Sequence, residues 1–290
     1  MKNCIHCQLR DPHSEFQTNL RRAGSFRRKS DGRVVKRFKC QSCGKESSLA
    51  TSHPCFRQKK RNLNHKIKML LCSGVSQRRI AKILGISRTT VVRKLIFLGQ
   101  IAQQELRENN LHRPQANIVE FDDLETFEHS KCKPLSVTLA VEHRTRRLLS
   151  FKISRMPAKG HLARISRKKY GLRPDGRPKA REELFKELGP LVHPEATFKS
   201  DENPFYPLDL KKHFPEAKHE RFKGQRGSIV GQGELKKIRF DPLFSLNHTC
   251  AMLRANINRL FRKTWCTTKI PERLELHIAI YAQFHNSRLI

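Results

Sequence analysis

The sequence predicts a mixed α/β fold, in which a mixed sheet is flanked by helices and preceded by a small metal-stapled unit and a helix-turn-helix. Three observations lead there. Two cysteine pairs bracket a basic, turn-rich stretch near the N-terminus, and residues Ser76 to Leu98 carry two helix-start signals around one glycine. Beyond residue 116, strand-like runs come first, then alternating helix and strand, then helices.

The metal-stapled unit follows from cysteine spacing. Cys4 and Cys7, then Cys40 and Cys43, form two C-x2-C knuckles whose thiolates complete a tetrahedral zinc site, and Gly44 supplies the tight turn after the second pair. The 32 residues between the pairs exceed the usual gap, so the intervening chain is expected to form a hairpin carrying Arg21, Arg22, Arg27, Arg28, Lys29, Lys36 and Arg37. Four thiolates leave no open coordination position, which makes the expected Zn2+ structural. His53 and Cys55 are substitute ligands outside the paired spacing. Nine cysteines, five of them scattered singly, suit metal binding in a reducing compartment better than a disulfide framework.

The second element is local grammar. In SQRRIAKILGISRTTVVRKLIFL, Ser76 caps a first helix, Gly85 ends it and Ser87 caps a second. Ile80, Ile83, Leu84, Ile86, Val91, Val92 and Leu95 supply a small core. That leaves Arg88, Thr89, Thr90, Arg93 and Lys94 on the second helix to meet double-stranded DNA. Glu105 to Gln115, with Asn109, Asn110 and Pro114, reads as a polar connector.

The sheet is expected from Ile118 to Phe121, Leu135 to Val141 and Arg147 to Ile153, antiparallel through a turn at His143 to Arg146. Met156 to Pro178 is basic and rich in Gly and Pro, an exposed excursion. Helical period resumes from Arg181 to Leu191, followed by a strand at Ala196 to Ser200 and a short helix near Leu208 to His213. The Gly-rich stretch from Gly224 to Gly233 lacks the Lys and spacing of a P-loop. Leu243, Leu246, Cys250, Leu253, Ile257 and Leu260 then form the apolar stripe of a long helix from about Pro242 to Lys263, and a last helix runs from about Pro271 to Asn286.

Charge narrows the partners. With 60 Lys and Arg against 26 Asp and Glu, the formal net charge is +34, a composition rewarded by neutralising phosphates and releasing their counterions. The basic residues are spread along the whole chain, which argues against a membrane-surface helix. No apolar run reaches membrane-spanning length and MKNCIHCQLR lacks a signal-peptide core, so a cytoplasmic, nucleoid-associated protein is expected.

Against this basic background the acids stand out. Asp122 and Asp123 follow a strand in IVEFDDLETF, and Asp201 follows another in TFKSDENPFY. Carboxylates from adjacent strands bridge two magnesium ions, one to activate an attacking water or 3′-hydroxyl and one to stabilise the leaving oxygen of a phosphodiester.

FDDLETF, SDENPFYP, and RANINRLFRKTWC with YAQFHN resemble bacterial insertion-sequence transposases of the DDE type, in particular the insertion-sequence-one group, over essentially the whole chain. The resemblance implies a zinc ribbon over residues 1–52, a helix-turn-helix over 60–100 and an RNase H-like catalytic domain over 116–290. It implies a transposase that binds terminal inverted repeats, cleaves and joins DNA with Mg2+, and works as a homodimer or larger assembly on DNA. Asp122 and Asp201 take the places of the first two metal ligands, and Asp123 that of a neighbouring acidic residue.

The third place is where this chain departs from the family. Asn247, in SLNHTCAMLR, falls where Glu is usual; its carbonyl can ligate magnesium but brings no charge and no base. Two rivals are Glu234, 33 residues after Asp201 in the Gly-rich stretch, and Asp241, whose place before Pro242 also fits a helix cap. Arg254, about two turns beyond Asn247, shares its face and is placed to hold a DNA phosphate. The same residues leave open a non-catalytic DNA-binding regulator, such as a decayed transposase, and a structure-selective nuclease.

Overall fold

Strand alternation and turn chemistry shape the N-terminal region of the computed structural model, which describes residues 4–8, 19–29, 32–51, 53–223 and 241–289. The chain divides into two compact units, Met1–Lys66 and Ile67–Ile290. In the first, α1 (Ile5–Gln8) precedes β1 (Leu20–Arg27), β2 (Val34–Cys40) and β3 (Glu46–Ser48), an antiparallel sheet in the order β1-β2-β3. The Arg28 N–H donates to the Arg33 carbonyl at 2.8 Å and closes the β1–β2 hairpin. Arg21, Arg22, Arg27, Lys29, Lys36 and Arg37 are exposed on it, and Arg28 is half-buried.

The second unit begins with helices. After α2 (Asn64–Leu71), α3 (Gln77–Ile83) is capped by the Ser76 hydroxyl, which accepts from the Arg79 N–H at 3.4 Å. α4 (Arg88–Leu111) is capped by Ser87, which accepts from the Thr90 N–H at 3.2 Å. Gly85 between them has φ +58°, a left-handed conformation that disfavours a side chain. The second helix does not stop at Leu98. It continues through the expected connector to Leu111, because Leu95, Gly99, Ala102, Leu106 and Asn110 extend one buried stripe at three- and four-residue steps. Asn110 ends that stripe by donating to the Leu148 and Leu149 carbonyls at 3.1 and 2.9 Å.

A five-stranded mixed sheet follows, built from β4 (Ala116–Phe127), β5 (Pro134–Glu142), β6 (Leu148–Arg155), β7 (Val192–Asp201) and β8 (Lys218–Phe222) in the order β6-β5-β4-β7-β8. β4, β5 and β6 are antiparallel hairpins, while β7 and β8 run parallel to β4. The sequence reading missed β8, KHERF, an edge strand with no fully buried residue and hence no apolar alternation. The expected excursion after β6 contains a helix, α5 (His161–Tyr170), and it is indeed mostly exposed.

Four further helices cover the sheet. α6 (Arg177–Leu188) and α7 (Tyr206–His213) bring Leu184, Phe185, Leu188, Tyr206 and Leu210 against Val119, Phe121 and Phe198, with the Phe121 and Phe185 rings edge to face at 5.3 Å. α8 (Phe244–Asn256) packs on β4 and β5, and α9 (Pro271–Asn286) packs along α4 and beside β6. Leu246, Leu253, Ile257 and Leu260 are buried as the apolar stripe predicts, but the helix expected to reach Lys263 ends at Asn256. There the Gly74 N–H takes the Asn256 carbonyl at 2.7 Å, and the Asn256 amide donates to the Tyr281 hydroxyl at 3.2 Å, so tertiary partners replace the next helical turn. No described helix is long and apolar enough to cross a membrane.

Candidate functional site

Register brings the acids together. β4 pairs in parallel with β7 as Ile118 with Thr197, Val119 with Phe198 and Glu120 with Lys199, and continuing that offset sets Asp122 beside Asp201, the last residue of β7. Alternation then sorts the side chains. Val119 and Phe121 enter the core under α6 and α7 and Glu120 turns to α8, whereas Asp122, near the strand's end, is reached by Tyr206 from α7 and lies close enough to α8 for its charge to act on Cys250. Asp123 shares the face of Phe121 and accepts from the Ser136 hydroxyl at 2.7 Å and from the Thr138 hydroxyl, both on β5. Adjacent in sequence, the two aspartates thus take different partners.

Asp122 is half-buried, and its Oδ1 accepts from the Asp123 backbone N–H at 2.6 Å and from the Tyr206 hydroxyl at 3.1 Å. Burial, reinforced by the Asp201 charge, pushes its carboxyl up to about 7. Burial and Asp122 raise the Tyr206 phenol, which keeps it a hydrogen-bond donor. Asp201 accepts from the Asn203 N–H at 3.0 Å and lines a cleft of about 480 Å³ with Lys159, Arg177, Arg181, Glu202 and Phe205. Two oxygen donors of like charge in one place suit a hard divalent cation such as Mg2+, which relieves their repulsion while waters and substrate oxygens fill its remaining positions. Asp122 and Asp201 are the two residues that could hold such an ion here.

On α8, Asn247 is exposed and its amide donates to the Asp241 carboxylate at 2.9 Å; the described contacts do not join it to Asp122 or Asp201. Asp241 also accepts from the Leu243 N–H at 3.0 Å, a turn at the helix entrance. Cys250, nearly one turn beyond Asn247 on α8, feels Asp122: burial, with that charge added, pushes its thiol up to about 12. Arg254 is half-buried one further turn on, its guanidinium lowered by burial and by Arg262. Glu234 lies outside the described residues.

Sequence reasoning missed the residue that seats α8. Glu120 is fully buried, accepts from the Leu246 N–H in the first turn of α8 at 2.7 Å, and pairs with His143 in the β5–β6 turn. A carboxylate at a helix N-terminus answers unpaired amides and the helix dipole. The available signal was an acid inside the apolar run IVEF.

In the first unit, the four predicted cysteines converge. Their sulfurs lie within 4.8 Å of one another, with Cys4 to Cys43 at 3.7 Å and Cys7 to Cys40 at 3.9 Å. A tetrahedron with Zn–S bonds of about 2.3 Å has edges of about 3.8 Å, so the cluster fits zinc. Backbone N–H groups of Cys43 and Ser42 pull the Cys40 thiol down, while burial and the neighbouring thiols push Cys7 up to about 12, the crowding of four sulfurs that a shared cation would relieve. Among the described residues this is the one cluster of three or more His, Cys, Asp or Glu side chains close enough to share an ion, and neither His53 nor Cys55 belongs to it.

At the start of α4, Arg88, Thr89 and Arg93 are exposed, and Thr90 is half-buried with its hydroxyl 2.8 Å from that of Ser87. Lys94 departs from its expected place. It is 3 % exposed, because three residues after Val91 and one before Leu95 it falls on the buried stripe of α4. Ile83, expected in the core, is 61 % exposed at the end of α3.

No protein-family model matches the chain, and no curated protein matches it. Among solved structures, a chain of the cryo-EM structure of the simian T-cell lymphotropic virus intasome in complex with PP2A regulatory subunit B56 gamma is similar over 73 % of this chain and 71 % of that one, at 14 % identity and a TM-score of 0.24.

Proposed function

We propose that the protein is a DDE-type transposase that binds the terminal inverted repeats of its element and catalyses metal-dependent DNA cleavage and strand transfer. The observation that carries this reading is the placement of Asp122 beside Asp201 on adjacent parallel strands, where Asp201 opens onto a cleft lined by Lys159, Arg177 and Arg181 together with the acids Asp175 and Glu202. Magnesium held there would polarise the scissile phosphodiester and lower the pKa of the attacking water or 3′-hydroxyl. Asp122 and Asp201 fix the ligand oxygens, and Tyr206 orients Asp122 by its hydroxyl. Exposed Lys159 faces the approach for the phosphate backbone, while Arg177 and Arg181, paired with Asp175 and Asp209, keep the cleft wall in place.

Around that centre we assign a zinc ribbon over residues 1–52, a helix-turn-helix over 60–100 that presents Arg88, Thr89, Thr90 and Arg93 to duplex DNA, and an RNase H-like domain over 116–290. The strand order β6-β5-β4-β7-β8, antiparallel then parallel, supports the last of these. Joining two DNA ends calls for two active centres, hence a dimer or larger assembly on DNA.

The test is cleavage, with Mg2+ or Mn2+, of a duplex carrying the sequence that flanks the reading frame. Asp122→Ala and Asp201→Ala are each expected to lower the rate by about 10³-fold or more while duplex binding persists. Unchanged cleavage by Asp122→Ala refutes the assignment. A second reading, a DNA-binding regulator without catalysis, is favoured by the engagement of Asn247 with Asp241, which leaves two protein ligands in the described site. Tight repeat binding without cleavage in either metal decides for it.

A further inference from the structure

The segment between β6 and α6 holds a concentrated basic surface to which no role has yet been given. α5 carries Arg164, Arg167, Lys168 and Lys169 within two turns, all exposed, and none makes an ion pair among the described residues. The nearby acids are already engaged by other cations: Glu125 by Lys159 at 2.8 Å, Glu128 by Arg173 at 2.9 Å, and Asp175 by Arg177 at 2.5 Å. The outward charge of α5 is left without a counterion among the described residues.

α5 is also held in place. The Ser166 hydroxyl donates to the Cys132 carbonyl at 2.7 Å, and the Lys133 ammonium sits 4.4 Å from the centre of the Tyr170 ring, so both of these residues rest on the β4–β5 turn. The helix follows Lys159, which lines the cleft with Asp201. A fixed cluster of cations on a helix that begins just after a cleft lysine suits the regularly spaced phosphates of a duplex backbone.

We propose that the exposed face of α5, through Arg164, Arg167, Lys168 and Lys169, is a phosphate-binding surface for duplex DNA running on from the carboxylate cleft. The choice of DNA as the polyanion rests on the transposase reading; the surface itself rests on the charge and anchoring of α5. Exposed Ile165, Tyr170 and Leu172 would equally let such a helix lie on an anionic bilayer, and the experiment separates the two.

In the full-length protein, the fourfold variant Arg164→Gln/Arg167→Gln/Lys168→Gln/Lys169→Gln is compared with wild type for binding a random-sequence duplex at several salt concentrations without added divalent metal. Each phosphate that is no longer neutralised lowers the slope of log K against log salt by about 0.9, so a decrease of roughly 2–4 is expected, with about 10- to 100-fold weaker binding at low salt. A control removes the same charge at exposed Lys179, Lys186, Lys211 and Lys212, three of which pair with Glu182 or Glu183, and is expected to change the slope by less. A slope equal to wild type, or a decrease no larger than the control's, overturns the proposal. So does a defect confined to phosphatidylserine vesicles with DNA binding intact. If the fourfold variant unfolds by circular dichroism, Arg167→Gln alone is read for a decrease of about 0.9, and no decrease overturns it. Cleavage insensitive to Asp122→Ala would remove the transposase reading and leave this binding result standing.

Discussion

Asp122 and Asp201 stand side by side on β4 and β7, and the charge of Asp201 joins burial in holding the Asp122 carboxyl at about 7 in the metal-free protein. A carboxylate this reluctant to ionise has been placed against its own stability, as functional sites often require.

That placement predicts a pH-dependent stability. The folded carboxyl ionises at about 7 and an ordinary aspartate at 3.8, so between these values the folded state keeps a proton that the unfolded chain has released. Without metal, stability attributable to Asp122 therefore falls as pH rises from about 4 to about 7 and stays low above. Asp122→Asn removes the cost, on the order of 2–4 kcal/mol for this half-buried group. Thermal unfolding should show the variant roughly 5–10 °C more stable than wild type at pH 8, with the gap closing near pH 4. An equal gap at both pH values contradicts the account.

Metal binding should release that proton. Calorimetry with Mn2+ at pH 6, in two buffers of different ionisation enthalpy, is expected to show close to one proton leaving per site, and almost none at pH 9. The apparent affinity should drop about tenfold per pH unit below 7. Asp122→Asn should lose both the proton release and most of the affinity.

The cysteine cluster predicts one zinc per chain whose removal acts on residues 1–66. Cys40→Ser is expected to weaken zinc by about 100-fold or more and to expose that unit to protease, while residues 67–290 keep their cooperative thermal transition. A single loss of structure across both units would show that they do not fold independently.

Gly99 predicts a packing limit. A Cβ added there would sit 2.5 Å from the Leu276 Cβ, where α4 packs against α9. Gly99→Ala is expected to destabilise the second unit by about 1–3 kcal/mol in denaturant unfolding, although alanine favours the isolated helix. A stabilised variant would mean that the two helices slide apart freely.

Much of this was legible in the chain because the signals are local. Ser76 and Ser87 cap their helices through amides three residues on, and the C-x2-C knuckles place their sulfurs together within a single turn. The strands from β4 to β7 announced themselves by apolar runs. β8 did not, since as an edge strand it buries no residue fully. Lys94 was misplaced because its polarity suggested solvent, while its helical phase, set by Val91 and Leu95, puts it inside. The end of α8 depends on Gly74 and Tyr281, residues that no helical periodicity contains.

The sequence by itself determined the mixed α/β class, the four zinc-fitting cysteines, the capped helix pair and the basic surface, because short-range geometry and composition are written in neighbouring residues. Only the tertiary structure decided which acids meet. Strand register set Asp122 beside Asp201, Ser136 and Thr138 engaged Asp123, buried Glu120 anchored α8, and Asp241 engaged Asn247. Each of these turns on hydrogen bonds and burial between residues that are not neighbours in the sequence.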